Sequence, residues 1–165
     1  MMEKFYSNRA DFDSIYLVER DYLSDPADSW VGYMEPKTVL FVDDEETILT
    51  SLEMALEDEP YQRLYARSGD EALELLSQIK VHVIVTDMRM ADMTGLGLLR
   101  IVREKYPEVV RMVLSGYTQV STVLTAINEG QIYKYITKPW RLEEQFKPAI
   151  HDALEYYDQI NGIKD

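Results

Sequence analysis

From residue 38 to residue 136 the chain repeats one pattern five times: a short apolar run rich in β-branched residues, then a stretch with helical periodicity. The runs occupy residues 38–42, 62–66, 81–86, 111–115 and 132–136. Val83-Ile84-Val85 shows no polar alternation, which marks a strand covered on both faces. Between the runs, Ile48, Leu49, Leu52, Ala55 and Leu56 share one helical stripe. Further stripes are Ala72, Leu73, Leu75 and Leu76, then Leu96, Leu99, Val102 and Arg103, then Val120, Val123, Leu124 and Ile127. Strands separated by helices return in parallel, so the pattern predicts an α/β fold with helices on both faces of a parallel sheet. Gly69, Gly95 and Gly130 mark turns, and Pro60 and Pro107 follow helix ends. After the fifth run, Leu142, Phe146, Ile150, Ala153, Leu154 and Tyr157 keep a helical spacing but enclose Pro148. An interior proline costs about 3 kcal/mol. The sequence therefore predicts a loose turn over 142–146 and a helix starting at Lys147 or Pro148.

The 165 residues suit one compact domain with extensions, and a chain of this size forms a core without staples. With no cysteine, disulfides and thiolate metal sites are excluded. Net charge is -13, unevenly spread: residues 1–36 hold eight acids and three bases, residues 37–141 sixteen and twelve, and residues 142–165 six and two. Such a surplus repels phosphate backbones and anionic lipid, so neither nucleic acid nor membrane is an expected partner. No apolar run approaches the roughly 18 residues that span a bilayer, and the first residues lack signal-peptide order, so a cytoplasmic location is expected. We divide the chain into an N-terminal extension, 1–36, a domain, 37–157, and a tail or linker, 158–165. The extension is expected to be partly helical or disordered; Phe12, Ile15, Tyr16 and Leu23 would share one apolar helical face there.

In open parallel sheets, sites form beyond the carboxyl ends of the strands. Those ends carry Asp43-Asp44, Asp87, Ser115 and Lys138-Pro139. Three crowded carboxylates require a cation, and magnesium suits an oxygen-only donor set. With only His82 and His151, zinc and copper fit poorly. Each residue also has a plainer role: Asp44-Glu45-Glu46 as acids at a helix N-terminus, Asp87 as a turn cap, Ser115 as a turn hydroxyl, Lys138 as a surface cation. Their occurrence in this chemical order at successive strand ends favours a shared site.

These residues resemble the receiver domain of bacterial two-component response regulators, the family of the chemotaxis regulators, over about 36–157. The resemblance rests on Val39-Leu40-Phe41-Val42-Asp43-Asp44-Glu45, on Val83-Ile84-Val85-Thr86-Asp87-Met88-Arg89-Met90, on Gly95, on Leu114-Ser115-Gly116 and on Tyr135-Ile136-Thr137-Lys138-Pro139-Trp140. It implies a flavodoxin-like, doubly wound sheet of five parallel strands in the order 2-1-3-4-5. It also implies that Asp87 accepts a phosphoryl group from a sensor histidine kinase or phosphotransfer protein, and that this switches conformation to control an output. The only catalysis implied is of its own phosphorylation and dephosphorylation. Asp43, Asp44, Asp87 and the Arg89 backbone carbonyl would hold Mg2+, Lys138 and Ser115 would contact the phosphoryl oxygens, and Ser115 and Tyr135 would switch. Family members have a cis Lys-Pro bond at the position of Lys138-Pro139, and a homodimer through the fourth helix, fifth strand and fifth helix is an expected partner arrangement.

Two features are this chain's own. Ala91 stands where the family usually has proline, which implies a less rigid loop after Asp87. Arg89 and Tyr117 border the expected phosphoryl group and are expected to shield it from water. Met88, Met90 and Met93 read as core or loop packing. The stretch 115–140 is similar to receivers joined to HD-type phosphohydrolase outputs. A non-phosphorylated scaffold with the same fold is the alternative, and the intact Asp43, Asp44, Asp87, Ser115 and Lys138 argue against it.

Overall fold

A computed structural model describes residues 36–116 and 119–162, so the expected apolar face of the N-terminal extension and the role of Tyr117 lie outside the described residues. Five strands alternate with helices: β1 (Thr38–Val42), α1 (Glu46–Ala55), β2 (Gln62–Ala66), α2 (Gly69–Gln78), β3 (Val83–Thr86), α3 (Gly95–Lys105), β4 (Val110–Ser115), α4 (Val120–Gly130), β5 (Lys134–Thr137) and α5 (Lys147–Ile160). All pair in parallel, in the order β2-β1-β3-β4-β5. This is the doubly wound, flavodoxin-like arrangement that the resemblance implied. Right-handed crossovers place α1 and α5 on one face and α2, α3 and α4 on the other.

Strand burial follows the continuous apolar runs. Val39, Leu40, Phe41, Ile84, Met112 and Val113 are inaccessible to solvent, and Phe41 stacks on Tyr65 and packs on Phe146. β3 begins at Val83 rather than 81, with His82 bonded to its neighbours just before it. His82 Nδ1 accepts from Thr38 N at 2.9 Å, while its own backbone donates to Thr38 and accepts from Val110. β5 runs one or two residues later than expected, with Tyr133 N still bonded to Arg111 O at 2.7 Å.

The helices show two departures in facing. In α3, Leu98 joins Leu99 and Val102 in the core, whereas Leu96 is half-buried and Arg103 is exposed, donating to Glu129 O at 2.8 Å. In α4, Ala126 is buried, but Leu124 and Ile127 are 52% and 45% exposed. A small residue at the contact lets this helix lie close to its neighbours, and the larger apolar side chains are turned outward. Pro148 falls in the first turn of α5, and a five-residue π-helical turn at Leu142–Phe146 precedes it, as the proline required. The helix then continues to Ile160, three residues past the expected boundary at 157. No described helix is long and apolar enough to cross a membrane.

Candidate functional site

Register brings the acids together. Val42 of β1 pairs with Thr86 of β3, so the residues that follow, Asp43 and Asp87, emerge side by side. β1 leads outward to β2 while β3 leads to the other half of the sheet, so these acids stand at the point where the chain order reverses. Asp87 N donates to Val42 O at 2.9 Å, and Asp43 N to Ala66 O at 3.1 Å, which carries the pairing past the formal strand ends. On the other side of β3, Ser115 pairs with Thr137, so Lys138 follows at the same level. Lys138 N donates to Ser115 O at 3.0 Å, and the Lys138-Pro139 bond is cis, as expected.

The side chains complete the cluster. Asp43 and Asp87 are buried, Asp44 is exposed, and one oxygen from each lies within 4.8 Å of the others. Asp43 Oδ2 accepts from Lys138 Nζ at 2.9 Å, and Asp43 Oδ1 accepts from Glu45 N at 2.9 Å. Asp87 Oδ1 accepts from Met88 N at 2.8 Å, and its Oδ2 lies 3.9 Å from Lys138 Nζ. One ammonium therefore serves two buried carboxylates and sits closer to Asp43. Burial pushes the Asp43 carboxyl above its ordinary range; the Glu45 N–H and Lys138 oppose that shift, and the neighbouring Asp87 reinforces it.

Three clustered carboxylates, two of them sharing one lysine, leave a net negative pocket built only of hard oxygen donors, and this fits magnesium. Two further residues shape the site. Gly95 N donates to Met88 O, and a Cβ at Gly95 would stand 2.0 Å from the Asp87 carbonyl oxygen, so only glycine allows α3 to start this close to the end of β3. Ser115 is buried beside the cluster, and Tyr135 is half-buried on β5 opposite Val113. Arg89 is exposed on the loop after Asp87.

Two contacts escaped the reading of the sequence. Ala91 N donates to Asp44 Oδ2 at 3.1 Å, and the Asp92 carboxylate accepts from Gly69 N and Asp70 N at 3.3 and 3.1 Å. A backbone donor leaves no mark in residue type. Asp92 would have been visible only as an acid in the loop before Gly95.

Comparison with known proteins agrees with this geometry. The model of the response regulator receiver domain matches residues 39–149. The hydrogenase transcriptional regulatory protein HoxA of Cupriavidus necator is 47% identical over 118 residues, 72% of this chain and 24% of that protein. The transcriptional regulatory protein GlrR of Escherichia coli K12 is 31% identical over 121 residues, 73% of this chain and 27% of its own length. The chain thus spans about a quarter of the curated relatives it matches. Among solved structures, the signal receiver domain of an HD domain-containing protein from Pseudomonas fluorescens Pf-5 superposes with a TM-score of 0.73 at 34% identity, covering 76% of this chain and 99% of that one. The beryllofluoride-activated NtrC4 receiver domain dimer gives 0.67 at 36% identity, covering 73% and 98%.

Proposed function

This chain belongs to the response regulator receiver domain family, and from that membership we propose that Asp87 is the residue on which it accepts a phosphoryl group. The chain is a receiver in two-component signalling, and aspartyl phosphorylation and magnesium dependence are general features of its family. The observation that carries the assignment to Asp87 is its setting. It is a buried carboxylate at a strand end, with one oxygen held by Met88 N, Lys138 at 3.9 Å from the other, and two more acids within ligand distance.

A carboxylate oxygen of Asp87 attacks the phosphorus of a phosphohistidine in line; the P–O bond forms as the P–N bond breaks, and the histidine leaves with a proton taken up from solvent. Phosphoryl transfer of this kind needs positioning and charge neutralisation rather than a protein acid or base. Asp43, Asp44 and Asp87, with the Arg89 carbonyl, are the residues that would hold Mg2+, which when bound offsets charge on the phosphoryl oxygens. Met88 N orients the nucleophile. Lys138 turns from Asp43 towards the added phosphoryl oxygens, and the Ser115 hydroxyl donates to them. Tyr135, two positions before Thr137 on β5, follows the movement of Ser115 and Lys138. Arg89 and Tyr117 shield the acyl phosphate.

Response regulator receivers act with histidine kinases or phosphotransfer proteins, and they can dimerise. For this chain the dimer surface we favour is the face of α4, β5 and α5, where Leu124 and Ile127 are exposed and Tyr133 stacks on Tyr156 with ring centroids 4.6 Å apart. Identity to the transcriptional regulator HoxA, 47%, exceeds that to the receiver of the HD domain-containing protein, 34%, which favours control of transcription over an HD-type output. The phosphoacceptor assignment is tested by mass spectrometry after incubation with magnesium and acetyl phosphate. One phosphoryl group is gained on Asp87, and the gain is absent in Asp87→Asn. Modification of Asp87→Asn at the wild-type level overturns the assignment.

A further inference from the structure

The loop from β3 to α3, residues 88–94, is tied at two points. At the first, Ala91 N–H holds Asp44 Oδ2 at 3.1 Å, fixing one oxygen of an exposed carboxylate and leaving the other available. At the second, both oxygens of Asp92 accept from Gly69 N and Asp70 N. Those are donors at the start of α2 that no carbonyl of the helix can satisfy. The next two, Glu71 N and Ala72 N, are taken by Ser68 Oγ and Ser68 O, so Asp92 completes the helix end. Met93 lies across the same turn, so close that a Cβ at Gly69 would stand 2.4 Å from its Cγ and Sδ. The loop is therefore clamped to α2 immediately beyond the residue that holds Asp44.

We infer that the Ala91 N–H, braced through Asp92 on α2, is a positioning device that keeps Asp44 in the rotamer that serves a divalent cation. The inference rests on the proposed reading of Asp44 as a magnesium ligand. A free surface carboxylate samples several rotamers, and ordering it on binding weakens affinity. The hydrogen bond to Ala91 imposes that order in advance. Proline at this position has no N–H and could not do so. Alanine at this position supplies a donor that acts on the ligand residue itself.

Amide exchange by NMR and magnesium titration by calorimetry on the full chain test this. Without metal, the Ala91 amide is protected in the wild type and exchanges at least tenfold faster in Asp44→Ala. Ala91→Pro and Asp92→Ala each weaken magnesium binding by about two- to tenfold, the range expected for one side chain left unordered, and Asp44→Ala weakens it further. Asp92→Ala releases the far end of the loop without removing the Ala91 N–H, so it carries the test if the proline variant does not fold. Equal Ala91 exchange in the wild type and Asp44→Ala overturns the inference. So does unchanged or tighter binding in Ala91→Pro or Asp92→Ala when Asp44→Ala has lost affinity. Wild-type affinity in Asp44→Ala overturns the ligand reading, and the inference with it.

Discussion

Replacing Asp43 by Asn should raise the melting temperature of the metal-free protein at pH 7. Lys138 Nζ lies 2.9 Å from Asp43, and the Asp43 and Asp87 ligand oxygens lie within 4.8 Å. At an effective dielectric constant of about 20, the lysine attracts Asp43 by about 6 kcal/mol and Asp87 repels it by at least about 3.5 kcal/mol. The attraction is thus largely offset before burial is counted. The Asp43 carboxyl is held above its ordinary range, so the burial of its charge outweighs what remains of that attraction. A group whose folded pKa lies above its unfolded value contributes stability that is complete below the unfolded pKa and is lost as pH rises through the folded one. Asn carries no charge to bury and keeps an acceptor for Glu45 N, so it avoids that loss. We expect a gain on the order of 1 kcal/mol, or about 3–6 °C for a domain of this size. Thermal melts in EDTA between pH 3 and pH 8 measure it: the gain is full at pH 7 and shrinks towards zero below about pH 4. With magnesium at about 100 times its dissociation constant, the wild type recovers about 2.7 kcal/mol and the order reverses. A variant that melts at or below the wild type in EDTA at pH 7, or a gain that is the same at both ends of the pH range, would refute the reasoning.

Gly95→Ala should destabilise the domain by more than about 3 kcal/mol in urea unfolding, because its Cβ meets a backbone carbonyl that cannot yield, whereas Gly116→Ala, with its Cβ 3.9 Å from Lys138, should stay within about 0.5 kcal/mol. The Asp92 carboxyl experiences burial that raises its pKa, yet the backbone N–H groups around it prevail and hold the pKa below its ordinary value. Its contribution is therefore present above the unfolded pKa and lost as pH falls through the folded one, so Asp92→Asn should lower the melting temperature at pH 7 and match the wild type at pH 2. Leu124→Gln with Ile127→Gln should leave monomer stability within about 0.5 kcal/mol and abolish association induced by beryllofluoride, read by light scattering. Arg89→Ala and Tyr117→Ala should shorten the lifetime of the acyl phosphate measured by loss of label; unchanged lifetimes in both discard the shielding role.

The sequence made the sheet legible because its strands are covered on both faces, and the brevity and β-branched content of a continuous apolar run such as Val83-Ile84-Val85 decide for a strand over a buried helix segment. The site was legible for a related reason: in a parallel sheet every strand end faces the same rim, so placing the strands places Asp43, Asp87, Ser115 and Lys138. Helix facing was harder to read. Leu124 and Ile127 look like core residues by spacing, and their exposure depends on how closely Ala126 lets α4 approach, which periodicity does not encode. The Ala91 contact with Asp44 was invisible because its donor is main chain, and substitution of an expected proline read as lost stiffness rather than as a gained N–H.

The sharing of Lys138 between two acids gives the site a direction of response. At 3.9 Å, a unit charge on the Asp87 side attracts the ammonium by about 4 kcal/mol, against about 6 kcal/mol from Asp43 at 2.9 Å, so before modification the lysine rests on Asp43. A phosphoryl group on Asp87 would bring nearly two charges, raising that pull to roughly 8 kcal/mol and reversing the preference. The flexible stem of Lys138 can absorb part of that change. Its backbone N–H is bonded to Ser115 O, and Ser115 lies at the end of β4 opposite Thr137. The part of the pull that the side chain does not absorb would pass through that bond to the ends of β4 and β5. β5 is one of the two edge strands and has an exposed residue at each end, and α4 keeps large apolar side chains in solvent. β4 is buried at five of its six positions and β5 at one of four, so a pull that reached the backbone of Lys138 would be taken up at β5, while Asp43 and Asp87, which follow the fully buried β1 and β3, would hold their places.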